Sequence, residues 1–226
     1  MRRIGVWGIA MVAISVAYAA QQISDGWQSV FRVDKAKLVS SGSNPYFVLI
    51  PGHRLVYERG NQAVTTTVLN ETKIVDGVET RAVEDRETKN GQLVELTHDY
   101  YAMDPATRDV YNFGEDVDVY RDGKVVGHEG AWLSGVKGAK FGLMMPGSPK
   151  KGMKFYQEQA QSVAMDRAEL VGMGERISTP AGVFEDCIHF VETSAVEENV
   201  TDHKWYAPGV GCVKDGDMPL VRIERK

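Results

Sequence analysis

Long apolar runs are missing from this 226-residue chain after its first twenty positions. A membrane-spanning helix needs roughly 20 consecutive apolar residues, so no later segment can cross a bilayer as a helix. Cysteine is scarce, with two in the chain, which excludes a disulfide-dense scaffold and any C-x-x-C redox or zinc motif. Basic residues are outnumbered, 26 Lys and Arg against 31 Asp and Glu. That balance excludes nucleic acid and anionic membrane surfaces as main partners, since both demand a basic patch. G-x-S-x-G, H-E-x-x-H and a phosphate-cradling glycine loop are all missing. So is any alternation of strand and helix, which removes the parallel α/β enzyme folds.

What the chain does have begins with Arg2 and Arg3, an apolar stretch from Ile4 to Val16, and Ala17-Tyr18-Ala19. A basic region, an apolar region and an A-x-A site predict a secretory signal peptide over 1–19. No cysteine follows the cleavage point, so no lipid attachment is expected. The mature chain is then expected in the periplasm or outside the cell, with no transmembrane segment. There Cys187 and Cys212 meet an oxidising compartment, where a pair usually becomes a disulfide; the alternative is one buried thiol and one spare. Residues 20–43 read as a short helix or linker. Trp27, Val30 and Phe31 fall at i, i+3 and i+4, permitting an amphipathic helix from about Ser24-Asp25, and Ser40-Ser41-Gly42-Ser43 reads as a linker.

Residues 44–226 read as a single antiparallel β domain. Asp76-Gly77 and Asn90-Gly91 separate three runs rich in Val, Thr, Ile and Tyr. Such pairs favour φ > 0 at both central positions, which a type I′ hairpin needs. Asp122-Gly123 and Asp215-Gly216 repeat the signal. The stretch from Ala131 to Phe155 keeps Trp132, Phe141, Leu143 and two adjacent methionines among glycines and prolines, and is expected as an ordered loop folded on the sheet. The expected fold is mainly β, a large antiparallel meander curled into a half-barrel or sandwich, with few short helices.

Counting outward from two-residue turns assigns the faces of the meander. The more apolar face collects Val64, Thr66, Val68, Asn70, Thr72, Ile74, Val83, Val94 and Leu96, together with Arg81, Asp85, His98 and Tyr100. Arg81 is then expected opposite Tyr100, and Asp85 diagonal to His98. Buried charge must be paired or used. These four either bind a small polar or anionic ligand on a concave face or form a satisfied core network. In the hairpin around Asp122-Gly123, counting puts Asp116, Asp118 and Glu129 on one side, able to hold a hard cation through oxygen ligands. Its alternative is a solvated acidic edge that deters strand pairing. His189 and His203 are placed to meet across neighbouring strands.

Five segments resemble a family of exported bacterial β-proteins without an assigned activity. They are Asn44–Glu58 (NPYFVLIPGHRLVYE), Val83–Ala102, Tyr111–Trp132, Thr179–Cys187 (TPAGVFEDC) and Trp205–Lys214 (WYAPGVGCVK). The Tyr-Ala-Pro-Gly-Val-Gly run is the most specific of them, and Cys212 stands where the family carries an apolar residue. A more distant similarity, to periplasmic lipoprotein-carrier-like curled sheets, implies an apolar groove for acyl chains. The reading that results is an exported, non-catalytic domain binding a small, lipid-like ligand or an envelope protein on its concave face. A metal-binding accessory protein using the acidic hairpin and a hydrolase with a His/Asp/Arg site are the alternatives. The residues imply no particular cofactor.

Overall fold

A computed structural model describes residues 26–197 and 200–225; the expected signal peptide lies outside them. Strands β1 (Gly42–Asn44) and β2 (Phe47–Leu49) form a small separate hairpin. The meander follows as β3 (His53–Arg59), β4 (Gln62–Val75), β5 (Val78–Lys89), β6 (Gln92–Met103) and β7 (Val110–Arg121). Short strands β8 (Lys124–Gly127) and β9 (Trp132–Leu133) pair with β7, and β10 (Lys140–Met145) continues the sheet. Then come β11 (Lys154–Tyr156), β12 (Glu158–Gln159), β13 (Asp166–Thr179), β14 (Gly182–Ser194), β15 (Thr201–Ala207), β16 (Gly211–Asp215) and β17 (Met218–Arg225).

The turns form where their dipeptides stand. Asp76 and Gly77 have φ of 51° and 79°, Asn90 and Gly91 53° and 74°, Asp122 and Gly123 52° and 71°. Positive φ at both positions gives the right-handed twist that a hairpin of two twisted strands requires. In the last hairpin Asp215 pairs with Met218, so the loop is Gly216-Asp217, one position beyond the expected one.

All thirteen strands of the main path are antiparallel, in the order β11-β13-β14-β15-β16-β17-β3-β4-β5-β6-β7-β10-β12. The two ends of that path are neighbours in sequence. Residues 154–156 pair with β13, whereas 158–159 pair with β10, with Gln157 between them. One short segment therefore faces both edges, and the sheet is nearly closed into a barrel. Gly142 of β10 permits the seam: a Cβ there would lie 2.7 Å from Tyr156 O. The stretch expected as a loop thus supplies β9, β10 and β11. Its apolar residues belong to strands that pack, with Trp132, Leu143 and Met145 buried.

The main core lies where β13–β15 face β5–β7. Phe155 meets Phe190 edge-on at 5.8 Å, and Phe190 meets Tyr206 at 5.9 Å. Phe113, Leu170 and Ile188 are fully buried beside them, each contributing roughly 1.5–3 kcal/mol by leaving water. The β1–β2 hairpin is tied down by Asn44, whose Nδ2 donates to Arg108 O (2.7 Å) and Pro146 O (3.0 Å). Its Phe47 packs on Tyr101 at 5.1 Å.

Residues 26–34 hold no helix. Gln28 bridges Phe155 in parallel, Val39 bridges Met103, and a 3-10 turn occupies Lys35–Lys37. Phe31 docks edge-on against Tyr111 at 6.1 Å. Three apolar residues at helical spacing are outweighed here by a sheet edge offering backbone partners and an aromatic pocket. The Ser40–Ser43 stretch is likewise no free linker, because Arg81 Nε donates to Ser40 O at 2.8 Å and β1 starts at Gly42. No helix among the described residues is long and apolar enough to cross a membrane.

Candidate functional site

Strand alternation turns every second side chain of the curled sheet inward. Thr66 and Val68 of β4, Val83 and Asp85 of β5, Asp99 and Tyr101 of β6, and Lys204 and Tyr206 of β15 line a central chamber of about 500 Å³. The inward positions follow a repeated order. Val83 gives way to Asp85 and then Glu87, Tyr101 to Asp99, Ala168 to Asp166, Phe190 to Glu192, and Tyr206 to Lys204. Each of these five strands passes from an apolar floor to a charged wall in one inward step. At the rim Glu87, Asp166 and Asp215 are exposed, while Asp99 lies deep at 9 % exposure.

Cations are few on this wall. Lys204 lies 2.9 Å from Glu192 and 3.6 Å from Asp215. Burial opposes its charge, but Glu192 and Asp215 outweigh burial and hold the ammonium well above its ordinary range. Gln157 Nε2 donates to Glu192 at 3.1 Å and Asn112 Nδ2 to Glu158 at 3.2 Å. The remaining carboxyls answer to burial and to one another. Burial, reinforced by the charge of Asp85, pushes Asp99 up to about 8. Burial lifts Asp85 to about 6 despite a hydrogen bond from Thr66. Glu158 rises to about 8, through burial and then Asp166 and Asp99, and Glu115, opposite Asp99 on β7, to about 10. Ionising several carboxyls together in a confined volume is costly, so protons stand in for the missing cations. Asp85 Oδ1 is shut off from solvent and has no hydrogen-bond partner.

Of the four residues assigned inward by counting, only Asp85 lines the chamber. For His98 and Tyr100 the cause is one unpaired residue, Val94. Lys89 pairs with Gln92 and Thr88 with Leu93 as counted, but Glu87 pairs with Glu95, displacing everything beyond by one. Arg81 is therefore opposite Tyr101, and Asp85 opposite Thr97. A bulge adds local twist and bends a strand, which a sheet closing on itself requires. The price is a change of face for half of β6. His98 and Tyr100 move to the outer face of the sheet, where Tyr100 is still buried. His98 Nε2 sits 3.7 Å from Glu84, and the Tyr100 hydroxyl donates to Asp116 at 2.6 Å. Arg81 is buried under the 38–40 segment. Asp99, on the face left by His98, becomes an inner carboxylate.

The acidic hairpin does not gather its three carboxylates. Asp116 is held by Lys73 at 2.6 Å and by Tyr100. Asp118 is 2.9 Å from His128 Nδ1, and β8 ends at Gly127, so Glu129 lies outside the paired strands. Among the described residues no three His, Cys, Asp or Glu side chains converge as a metal site.

The cysteines are both free thiols. Cys187 is on β14 and Cys212 on β16, with Tyr206 of β15 paired between Ile188 and Cys212. Next-but-one strands stand about 9.5 Å apart, beyond the ~7 Å Cα reach of a disulfide. Burial pushes the Cys187 thiol up to about 11 and Cys212 higher still. His189 and His203 do meet, Nε2 to Nδ1 at 2.8 Å, outside the barrel, where His189 stacks on Trp205 at 4.2 Å.

Reasoning from the sequence did not find Asp99, Glu158, Asp166, Glu192, Lys204 and Asp215. Their signal was present: a charge two positions beyond an apolar inward residue, recurring on several strands. No protein-family model, no curated protein and no solved structure matches this chain.

Proposed function

We propose that this chain is an exported binding protein that encloses a small polar ligand in its barrel lumen and performs no chemistry on it. One observation carries this reading: a chamber of about 500 Å³ is walled by carboxylates that far outnumber its cations. A core built only for stability gains nothing from such a wall, because each buried, unpaired charge opposes folding. Chambers of this volume are the ordinary size for small-molecule sites.

Binding is favoured over thiol or imidazole catalysis by the state of the cysteine and the histidine at the lumen. Cys212 lines the lumen, but burial drives its pKa far up, which withholds the thiolate that attack requires. His53 Nε2 is engaged by Val210 O at 2.8 Å. The wall also bears on the lipid-carrier alternative, since an acyl chain would meet Asp85, Asp99 and Glu192 with nothing to offer them.

The test is native mass spectrometry of protein isolated under non-denaturing conditions, beside a Thr66→Trp variant whose indole fills the chamber. A small-molecule adduct on the wild type that the variant loses supports the reading. Equal adducts on both proteins, or none on the wild type together with no thermal shift across a metabolite panel, overturns it.

A further inference from the structure

We infer that the ligand of the lumen is a small organic cation carrying at least two protonated nitrogens on a short aliphatic chain, of the diamine or polyamine class. This rests on the lumen being the binding site. The first ground is charge. Asp85, Asp99 and Glu158 face a chamber whose lysine is already engaged by Glu192 and Asp215. A ligand ammonium supplies in the lumen what a proton supplies in its absence. The second ground is independent of the count: Asp85 lines the chamber, and its Oδ1, closed to solvent, has no hydrogen-bond partner. A buried acceptor left unpaired forfeits a hydrogen bond, which a ligand N–H restores when the carboxyl turns about its Cβ–Cγ bond toward the lumen.

The spread of the carboxylates separates an organic cation from a metal ion. Asp85 and Asp99 come from β5 and β6, Glu158 from the closing segment, and no three such groups converge at ligand distance among the described residues. A metal ion needs its oxygens about 2–2.6 Å from one point. A chain bearing two ammonium groups reaches separated acceptors instead, and each ammonium offers three donors. Tyr101 and Tyr206 supply the surface between, suited to methylenes and to cation–π contact. At the rim, exposed Glu87 and Asp215 give the approach a negative field that draws cations in.

The experiment is isothermal titration of the full chain with 1,4-diaminobutane and spermidine, beside 1,4-butanediol and glutarate as uncharged and anionic counterparts. The diamine or triamine is expected to bind at least tenfold more tightly than either counterpart. Asp85→Asn and Asp99→Asn should each weaken it about tenfold or more, while Asp118→Asn, on the outer surface, leaves it unchanged. Circular dichroism shows that each variant is folded, and two lumen variants keep the test alive if one is not. Equal binding of the diol or glutarate overturns the inference, as does an Asp118→Asn loss matching that of Asp85→Asn. If amines fail to bind while Thr66→Trp still expels a co-purified neutral ligand, the lumen remains the site and the cation assignment falls. If amine binding survives Thr66→Trp, the lumen is not where amines bind and the inference falls with it.

Discussion

Replacing Asp99 by Asn tests the electrostatics of the barrel interior directly. The folded-state carboxyl stands at about 8 against an ordinary 3.8, raised first by burial and then by Asp85. A folded pKa above the unfolded one means that the native state binds the proton more tightly. The resulting stability is fully present below about pH 4 and is lost as the pH climbs through 8. At about 1.4 kcal/mol per unit, one such group alone contributes roughly 6 kcal/mol in acid that is gone at pH 9. Asp85, Glu115 and Glu158 share the repulsion, so the loss in the wild type spreads over a broad range. Asn keeps the shape and cannot ionise. Urea unfolding at pH 5, 7 and 9 should show the wild type weakening steadily with pH. The variant should be close to the wild type at pH 5 and the more stable of the two at pH 9, by about 2 kcal/mol or more. Parallel profiles for the two proteins, or a wild type strongest at pH 9, would refute a protonated interior and mean that the cluster is ionised around Lys204.

Three further outcomes follow from the geometry. Ellman titration in denaturant without reductant should count two thiols per chain, because β15 separates Cys187 from Cys212; a count of zero would mean the strands are not ordered as described. Arg81→Met should cost about 2 kcal/mol by removing the charged hydrogen bond to Ser40 O. Ligand affinity should not change with it, since Arg81 lies under the 38–40 segment and outside the chamber, and a selective loss of affinity would return Arg81 to the site. Gly142→Val should lower the melting temperature by several degrees, because its Cβ meets the backbone at Tyr156 and Gln157 and forces the closing seam apart. An unchanged melting temperature would show that the seam does not contribute to stability.

Local chemistry made much of this barrel legible. Asp76-Gly77, Asn90-Gly91 and Asp122-Gly123 encode their turns in the φ preferences of two residues each, and those preferences act wherever the dipeptide occurs. Alternation then identified Val64, Thr66, Val68, Val83 and Asp85 as inward residues, and all five line the chamber, whereas Asn70, Thr72 and Ile74, counted on the same face, are exposed beyond the register shift that follows Val68. What defeated the same counting on β6 was Val94. Whether a strand bulges depends on how sharply the whole sheet must curve, and no dipeptide records that.

The amino-acid sequence by itself determined a long antiparallel meander, its reversals and the inner face of its first ribbon as far as Val68 and Val83, because these follow from backbone preferences and a period of two. Only the tertiary structure decided that residues 154–159 link the two edges, that Asp99 rather than His98 looks inward, and that carboxylates distant along the chain share one chamber. Closure is a condition on all the strands together. It selects bulge, tilt and stagger to bring two far edges into contact, and those choices set which side chains meet across the lumen.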